Sequence, residues 1–271
     1  LIIILIFTLQ LVPFRKSWII IFTIATTVTS LNIACQKISE VEAINDRAVK
    51  KVAQKDYQGA LTDYNIAIDQ DPKNGTLYNN RANAHFQAKN YEQAIKDYNQ
   101  AIKINPEIAD SYYNRAYARQ QLADFKGAIA DYNKALEFAT DKKTQTQIYG
   151  NRGTVHHTLK NYQNATADYN QVIKRQPNIP QIYSNRANLY YQQGKLEQAI
   201  ADYRKAADLY QQQGNTQSQQ ELLTIVSQIE GIGKMERWGA SKKYSNPKSF
   251  VKSMEFLKNS SFSINAFCLL P

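Results

Sequence analysis

Charged side chains recur along this chain at a regular spacing. Five times, an arginine is followed sixteen residues later by an aspartate, and each aspartate is followed by a tyrosine. The arginines are Arg47, Arg81, Arg115, Arg152 and Arg186, and the aspartates are Asp63, Asp97, Asp131, Asp168 and Asp202. Partly exposed ion pairs of this kind hold helices in register while contributing little free energy. We therefore predict a ladder of structural ion pairs between helices.

Residues suited to catalysis or metal binding are few. The chain holds three histidines, His85, His156 and His157, and two cysteines, Cys35 and Cys268. Two cysteines are too few for a disulfide framework or a four-ligand metal site. No Ser-His-Asp set, cluster of metal ligands or glycine-rich phosphate loop occurs at a mechanistic spacing. The sequence therefore predicts no cofactor, no metal site and no enzymatic activity.

The charged pairs belong to a unit that the chain repeats. Successive arginines are separated by 34, 34, 37 and 34 residues, and successive aspartates are separated by the same numbers, which defines five copies. The copies span 41–74, 75–108, 109–145, 146–179 and 180–213. Small and apolar residues at spacings of 3, 4 and 7 predict two amphipathic helices per copy, with a break near Lys89-Asn90 or Gly194-Lys195. Positions are counted from the first residue of each copy. Alanine or glycine at positions 8 and 20 allows the two helices to approach closely, and the tyrosine at position 24 fills the space around that contact.

This pattern, together with the closing prolines Pro72, Pro106 and Pro177, resembles the tetratricopeptide repeat. The Asn-Arg-Ala or Asn-Arg-Gly sequence of the first helices is similar to one subgroup of that family. The resemblance implies an all-α fold, a right-handed superhelical solenoid of five antiparallel helix pairs. Its first helices line a concave groove. The third copy departs from the pattern at Thr140, where three residues, 141–143, are inserted, and we expect them to lengthen a loop.

The segment after the repeats differs from them in composition. Residues 214–230 predict a capping helix with a polar outer face, which terminal repeats require, and we expect Gly231 and Gly233 to end it. Residues 231–271 form a basic tail. Its composition favours disorder, the alternative being contact with an anionic membrane surface.

The resemblance also implies which side chains face the groove, most of them amides and aromatics at positions 5, 6, 9, 12 and 13 of the copies. They are Asn79, Asn80, Asn83, Phe86, Gln87, Tyr113, Asn114, Tyr117, Gln120, Gln121, Asn151, Thr154, His157, Asn185, Asn188 and Tyr191. Amides donate and accept hydrogen bonds, which suits the backbone of an extended peptide, and aromatic side chains are enriched at interface hot spots.

Alternatives stay open within this set. The asparagines at position 6 either face a ligand or hold neighbouring helices together. Aromatic residues at helical spacing either line the groove or pack in the core, and His85 and His156 are predicted to pack there. Family members that bind acidic chaperone tails carry Lys or Arg at positions 2, 5 and 6. Here such places hold Asp110, Gln147 and Asn79, so a ligand ending in acidic residues is disfavoured.

Residues 1–35 are predicted to attach the chain to a membrane. Two apolar runs flank the basic pair Arg15-Lys16, and residues 31–35, Leu-Asn-Ile-Ala-Cys, are similar to a bacterial lipoprotein signal in which Cys35 is lipidated. Three interpretations stay open: a lipoprotein signal, an uncleaved anchor, or a misassigned start, since the chain begins with Leu1. In the first two, the repeats lie on the exported side, periplasmic or extracellular.

The net charge of +10 is concentrated outside the repeats. Residues 1–35 carry +2, residues 36–230 carry +3 and residues 231–271 carry +5. The nearly neutral repeat region opposes one alternative, a helical-repeat RNA-binding protein. We therefore predict a membrane-tethered scaffold that binds a peptide segment or partner protein in its groove. We expect no nucleic acid and no small-molecule substrate.

Overall fold

Helices joined by short turns make up the described part of the chain. The computed structural model describes the backbone of residues 14–237 and the side chains of residues 25–31 and 33–231. The helices are α1 (Phe14–Ala53), α2 (Tyr57–Gln70), α3 (Gly75–Gln87), α4 (Tyr91–Ile104), α5 (Ala109–Gln121), α6 (Phe125–Phe138), α7 (Lys142–Thr158), α8 (Tyr162–Arg175), α9 (Pro180–Gln192), α10 (Leu196–Gln212) and α11 (Thr216–Arg237). The described residues contain no strand, and the predicted all-α fold is confirmed.

Consecutive helices pack as pairs, and each pair is one copy of the repeat. The chain divides into two units between Ile104 and Asn105. The first unit holds the pairs α1–α2 and α3–α4, and the second holds α5–α6, α7–α8 and α9–α10, with α11 packed on α10. Within each unit, the second helix of one pair also packs on the first helix of the next. This is expected where one pair alone cannot bury its apolar face.

The core of every pair is a tyrosine set against small residues. The tyrosines at position 24 are at most 2% exposed, and the alanines at position 20 are fully buried. The tyrosines are Tyr64, Tyr98, Tyr132, Tyr169 and Tyr203. Position 8 of the opposing helix is alanine in four copies and Gly153 in the fourth, and all five are buried. The core positions predicted from the spacing are therefore confirmed.

The turn inside each pair has one conformation in all five copies. In the second copy, Lys89 adopts a left-handed φ of 62°, and Asn90 N donates to His85 O at 2.8 Å. Lys89 N also donates to Phe86 O at 2.9 Å, which completes a Schellman motif. Gly194 is the glycine that occupies this left-handed position in the fifth copy. The predicted break near Lys89-Asn90 or Gly194-Lys195 is confirmed.

The three-residue insertion of the third copy lengthens a helix, so the expectation of a longer loop is wrong. Asp141 lies before the first turn of α7, and its carboxylate accepts from Thr144 N at 2.8 Å. A side-chain acceptor at this place satisfies a backbone N–H that lacks a partner within the helix. Helix α7 therefore starts at Lys142 and has 17 residues, against 13 in α5.

The predicted capping helix is present as α11, but it does not end at Gly231. It runs from Thr216 to Arg237, and its buried side chains include Leu222, Ile225 and Ile229. A glycine costs only about 1 kcal/mol inside a helix, which a helix held by packing tolerates. Residues 238–271, which include most of the predicted tail, lie outside the described residues.

Helix α1 joins the predicted membrane segment to the first copy without a break. It runs from Phe14 to Ala53, and its side chains up to residue 40 are exposed wherever they are described. Apolar examples are Leu31 and Ile33. Among the described residues, no helix has the length and apolar composition needed to cross a bilayer. Residues 1–13 of the predicted membrane segment lie outside the described residues.

Candidate binding face on the first helices

The predicted ion pairs form in all five copies and fix the first helix of each pair to the second. Arg81 Nε lies 2.7 Å from Asp97 Oδ2, and Arg81 Nη2 lies 2.6 Å from Asp97 Oδ1. The other four arginines bind their aspartates through the same two bonds. Such two-point contacts set the direction of both side chains. In the first copy, hydrogen bonds from Arg47 lower the pKa of Asp63 to about 2.

Three of these arginines, Arg81, Arg152 and Arg186, also bind the preceding copy, which the sequence analysis missed. Arg81 Nη1 donates to Asn65 Oδ1 at 2.7 Å, and Arg152 Nη1 donates to Asn133 Oδ1 at 2.6 Å. Each of these asparagines follows an Asp-Tyr pair, and that constant neighbour was the available signal. The guanidinium of Arg81 also lies over the ring of Tyr78, 5.5 Å from its centroid. Arginine at position 7 therefore joins copies as well as helices.

Position 11 supplies a second neighbour to each aspartate in the first four copies. Lys51 Nζ lies 2.7 Å from Asp63 Oδ2, whereas His85 Nε2 lies 4.0 Å from Asp97 Oδ2. His156 holds the same position and is buried, as predicted, while His85 is half-buried. Burial lowers the pKa of both histidines, so both favour the neutral form.

Asparagines at position 6 bind the preceding first helix within each unit. Asn80 Nδ2 donates to Asn45 Oδ1 at 3.0 Å, and Asn151 Nδ2 donates to Tyr113 Oη at 2.8 Å. Both acceptors occupy position 5. For these two asparagines, the interpretation as links between neighbouring helices is confirmed.

Buried tyrosines hold several of the predicted binding amides in place. Tyr98 Oη donates to Asn83 Oδ1 at 2.6 Å, and Tyr132 Oη donates to Gln120 Oε1 at 3.0 Å. Tyr203 Oη donates in the same way to Asn188 Oδ1. The core position 24 therefore orients amides at positions 9 and 12 of the first helix.

Most of the predicted site residues keep part of their surface exposed. We call the half-exposed and exposed members the candidate face, and we describe it separately in each unit. In the first unit they are Asn79, Asn80, Asn83, Phe86 and Gln87, and in the second they are Tyr113, Asn114, Tyr117, Gln120, Gln121, Asn185, Asn188 and Tyr191. Two aromatic members rest on rings of the second helix: Phe86 on Tyr91 at 5.3 Å and Tyr113 on Tyr132 at 6.0 Å.

Three predicted site residues are enclosed instead. Asn151, Thr154 and His157 of α7 are 1%, 1% and 3% exposed. Thr154 Oγ1 donates to Gly150 O at 3.1 Å, and His157 Nε2 lies 3.1 Å from Gln192 Oε1. The register of the repeat predicted that they face the groove, but sequence spacing gave no measure of how far neighbouring helices cover them.

Family models for the tetratricopeptide repeat match most of the region between residues 51 and 213. The model described as "Tetratricopeptide repeat" matches 76–108 and 180–213, a second of that description matches 109–142 and 146–179, and the model described as "TPR repeat" matches 51–89. The chain belongs to the tetratricopeptide-repeat family. No curated protein sequence matches it significantly.

Solved structures share the fold of this tetratricopeptide-repeat chain at low sequence identity. The crystal structure of MamA protein matches with a TM-score of 0.59 and 19% identity, covering 64% of this chain and 93% of MamA. The crystal structure of YrrB, described as a TPR protein with an unusual peptide-binding site, matches with a TM-score of 0.54 and 18% identity. That match covers 66% of this chain and 90% of YrrB.

Proposed function

We propose that the chain is a membrane-tethered scaffold that binds an extended peptide segment or partner protein on the candidate face. The observation that carries the proposal is the anchoring of Asn83, Gln120 and Asn188 by buried tyrosine hydroxyls. Side chains held in one orientation before binding lose little conformational entropy when a ligand arrives. The proposal is supported by YrrB, which shares the fold and is described as having a peptide-binding site.

The chemistry of the candidate face favours an uncharged extended ligand. Its side chains are amides, tyrosines and a phenylalanine, and it carries no Lys, Arg, Asp or Glu. Carboxamides pair with both the N–H and the C=O of a peptide backbone, and half-exposed aromatics add rigid apolar contact area. These side chains offer no counter-charge to a ligand held through charged termini.

A peptide library tests this function through position 9. Residues 36–230 are panned against random displayed peptides, and affinities of selected peptides are measured by calorimetry. We expect the triple change Asn83→Ala, Tyr117→Ala and Asn188→Ala to weaken the affinity for the selected peptides at least tenfold. A tenfold loss corresponds to about 1.4 kcal/mol of binding free energy. Equal affinity for the triple variant and the parent overturns the proposal.

A matched control uses position 18 of the same copies. Glu92, Lys126 and Glu197 are exposed on the second helices, and their joint change to Ala leaves the candidate face intact. We expect this variant to retain the parent affinity. Thermal unfolding of both triple variants separates loss of binding from loss of fold.

The membrane tether is a separate part of the proposal and rests on residues 1–35. Cys35 is exposed on α1, which leaves its thiol accessible to a lipidating enzyme. We expect the full chain to enter the detergent phase of a two-phase extraction and to incorporate a labelled fatty acid. Cys35→Ser distinguishes the two forms of tether: loss of label and of detergent partitioning indicates a lipid anchor. Partitioning without label indicates an apolar anchor, and recovery of the unlabelled chain in the aqueous phase contradicts a tether.

A further inference from the structure

Helix α1 connects the proposed tether to the first copy without a flexible linker. Its first buried side chain after Cys35 is Val41, which packs with Ile44 and Leu77. The residues between Cys35 and Val41, 36–40, are helical and exposed. Six residues of helix span about 9 Å, and six fully extended residues span at most about 21 Å. The distance from Cys35 to the first copy is therefore short in either conformation.

Both forms of the proposed tether bring the bilayer surface next to Cys35. A lipid on Cys35 would hold that residue at the surface. An uncleaved apolar anchor would end before Lys37, because no charged residue lies between Lys16 and Lys37 and charged side chains are costly in the hydrocarbon. In both forms, the first copy therefore begins within about 9 Å of the surface when α1 is helical.

The first helices of the first unit run in the same direction. Leu77, near the start of α3, packs in one cluster with Val41 of α1. Ala84, one helical stretch further along α3, packs in a second cluster with Ala48 of α1. Because both helices advance together from one cluster to the next, the end of α3 that begins at Gly75 lies on the same side as the proposed tether.

The candidate face of the first unit lies at a defined height along α1. Asn80 Nδ2 donates to Asn45 Oδ1 at 3.0 Å, so these two residues are level. By the same register, residues 79–87 of α3 lie level with residues 44–52 of α1. These residues of α1 follow Cys35 by nine to seventeen positions, which is about 14 to 26 Å of helix. A tilted α1 would hold the face nearer to the bilayer than an upright one.

The face itself offers only weak contacts. Its members in the first unit are four amides and one phenylalanine: Asn79, Asn80, Asn83, Phe86 and Gln87. A hydrogen bond between an amide and a peptide backbone contributes little net free energy in water, because it replaces hydrogen bonds to water. An extended peptide also loses conformational freedom when it binds. Confinement of both partners to one bilayer offsets that loss, because it raises their effective concentration without a new contact.

We propose that the first-unit face binds a segment of a membrane-embedded partner that lies within about ten residues of the partner's bilayer-spanning part. The inference rests on the proposed function and names the class of partner. An extended peptide rises about 3.3 Å per residue, so about four to eight residues cover the distance from the bilayer surface to the face.

A peptide fused to a membrane anchor tests this reach. Peptides are selected from a random displayed library on the full chain in detergent, and one that loses affinity on Asn83→Ala is kept. It is joined at either end to a transmembrane helix of leucine and alanine through about six or about sixty Gly-Ser residues. Each fusion is reconstituted with the full chain in phosphatidylcholine nanodiscs. Energy transfer from a fluorescent amino acid at Glu92, which is exposed on α4, to a dye on the peptide measures binding.

We expect the fusion with the short linker to bind the parent chain. Displacing it should need at least ten times more free peptide than displacing a dye-labelled peptide without an anchor, because the fusion is confined near the face.

A raised variant is the matched control. It carries about thirty residues of Glu-Ala-Ala-Ala-Lys repeats after Gln36, which lift the face by about 45 Å where they are helical. The short linker spans at most about 21 Å, so we expect its fusion to lose this advantage in the raised variant. The fusion with the long linker should still bind. Equal affinity of both chains for the free peptide shows that the insertion leaves the face folded.

Each outcome bears on one proposal or on both. A parent chain that binds only the fusion with the long linker overturns this inference and leaves tether and peptide binding standing. The same holds if the raised variant binds the short-linker fusion as well as the parent does. A chain that does not stay with the nanodiscs overturns the tether. A library without a peptide that depends on Asn83 overturns binding on the first-unit face. In both of these cases the inference falls as well.

Discussion

Arginine at position 7 illustrates what a single residue does in this fold. Its five donors serve an aspartate of its own copy and, in Arg81 and Arg152, an asparagine of the copy before. The contact inside one copy was predictable, because partners sixteen residues apart keep that distance in every copy. The contact between copies was harder to predict, because the recurring asparagine after each Asp-Tyr pair marks a candidate partner but does not show which arginine it meets.

The neighbour at position 11 sets how much each arginine matters. Arg81→Ala leaves Asp97 with His85 at 4.0 Å, a neutral ring, whereas Arg47→Ala leaves Asp63 with Lys51 at 2.7 Å. We expect Arg81→Ala to cost about 3 kcal/mol of unfolding free energy, the lower end for an ion pair that loses one partner. Arg47→Ala should cost less, and urea denaturation measures both. Equal losses would contradict the role given to Lys51.

Histidine burial makes the stability of the fold depend on pH. Burial lowers the pKa of His85, His156 and His157 below the unfolded value of about 6.5. As the pH falls below about 6.5, the unfolded chain takes up protons that the folded chain does not, so the free energy of unfolding decreases. We expect the urea midpoint to fall from pH 7.5 to pH 5. Changing all three histidines to Gln should flatten that dependence, and an unchanged slope would refute this origin.

The three residues inserted in the third copy are accommodated by a longer helix, α7. The three inserted residues shift the partner of Arg152 from sixteen to nineteen residues away, yet the bond to Asn133 forms at 2.6 Å. Counting residues identified the insertion but not its place, because the capping bond of Asp141 decides whether the extra residues join the helix or the loop. The apolar periodicity therefore predicted that the helices exist, whereas local hydrogen bonds decide at which residue each helix begins or ends.

Close packing of α7 against α8 depends on glycine in the fourth copy. A Cβ added at Gly153 would lie 2.9 Å from Tyr169 Cε1 and 3.1 Å from Asp168 Cβ. Because Tyr169 is fully buried, its ring has no free space to yield. We expect Gly153→Ala to lose about 1–3 kcal/mol through overpacking, although alanine favours helix by about 1 kcal/mol.

Gly231 is the matched control for this change. An added Cβ there meets nothing within 4 Å. Gly231→Ala in α11 should therefore raise the free energy of unfolding by up to about 1 kcal/mol through helix propensity alone. Thermal or urea unfolding of both variants gives the comparison, and a Gly153→Ala chain as stable as the parent would show that α8 can shift.

At the scale of the whole molecule, repetition made the fold predictable and left the binding site less so. The core has the same tyrosine and alanine positions in every copy, so the packing predicted for one copy applies to all five. The candidate face varies from copy to copy, and its exposure depends on residues in neighbouring copies, as Tyr113 and Gln192 show for α7. A pattern within one copy therefore predicted a face by register but could not separate its enclosed members from its exposed ones.

The end of the series shows how the chain stops repeating. The fifth copy carries Arg204 where earlier copies have asparagine, and Arg204 Nη2 pairs with Glu230 of α11 at 2.6 Å. Helix α11 also buries Leu222, Ile225 and Ile229 against α10. Each such side chain contributes roughly 1.5–3 kcal/mol on burial, so α10 depends on α11.

A chain ending after residue 214 tests that dependence against one ending after residue 237, which keeps α11. Repeat stability is a sum of nearest-neighbour terms, so loss of α11 should act mainly on α10. We expect amide hydrogen exchange in α10 to rise at least tenfold in the shorter chain, with exchange in α2 unchanged. The longer chain should match the full chain in both helices. Equal acceleration in α2 and α10 would instead mean that the described helices unfold as one cooperative block.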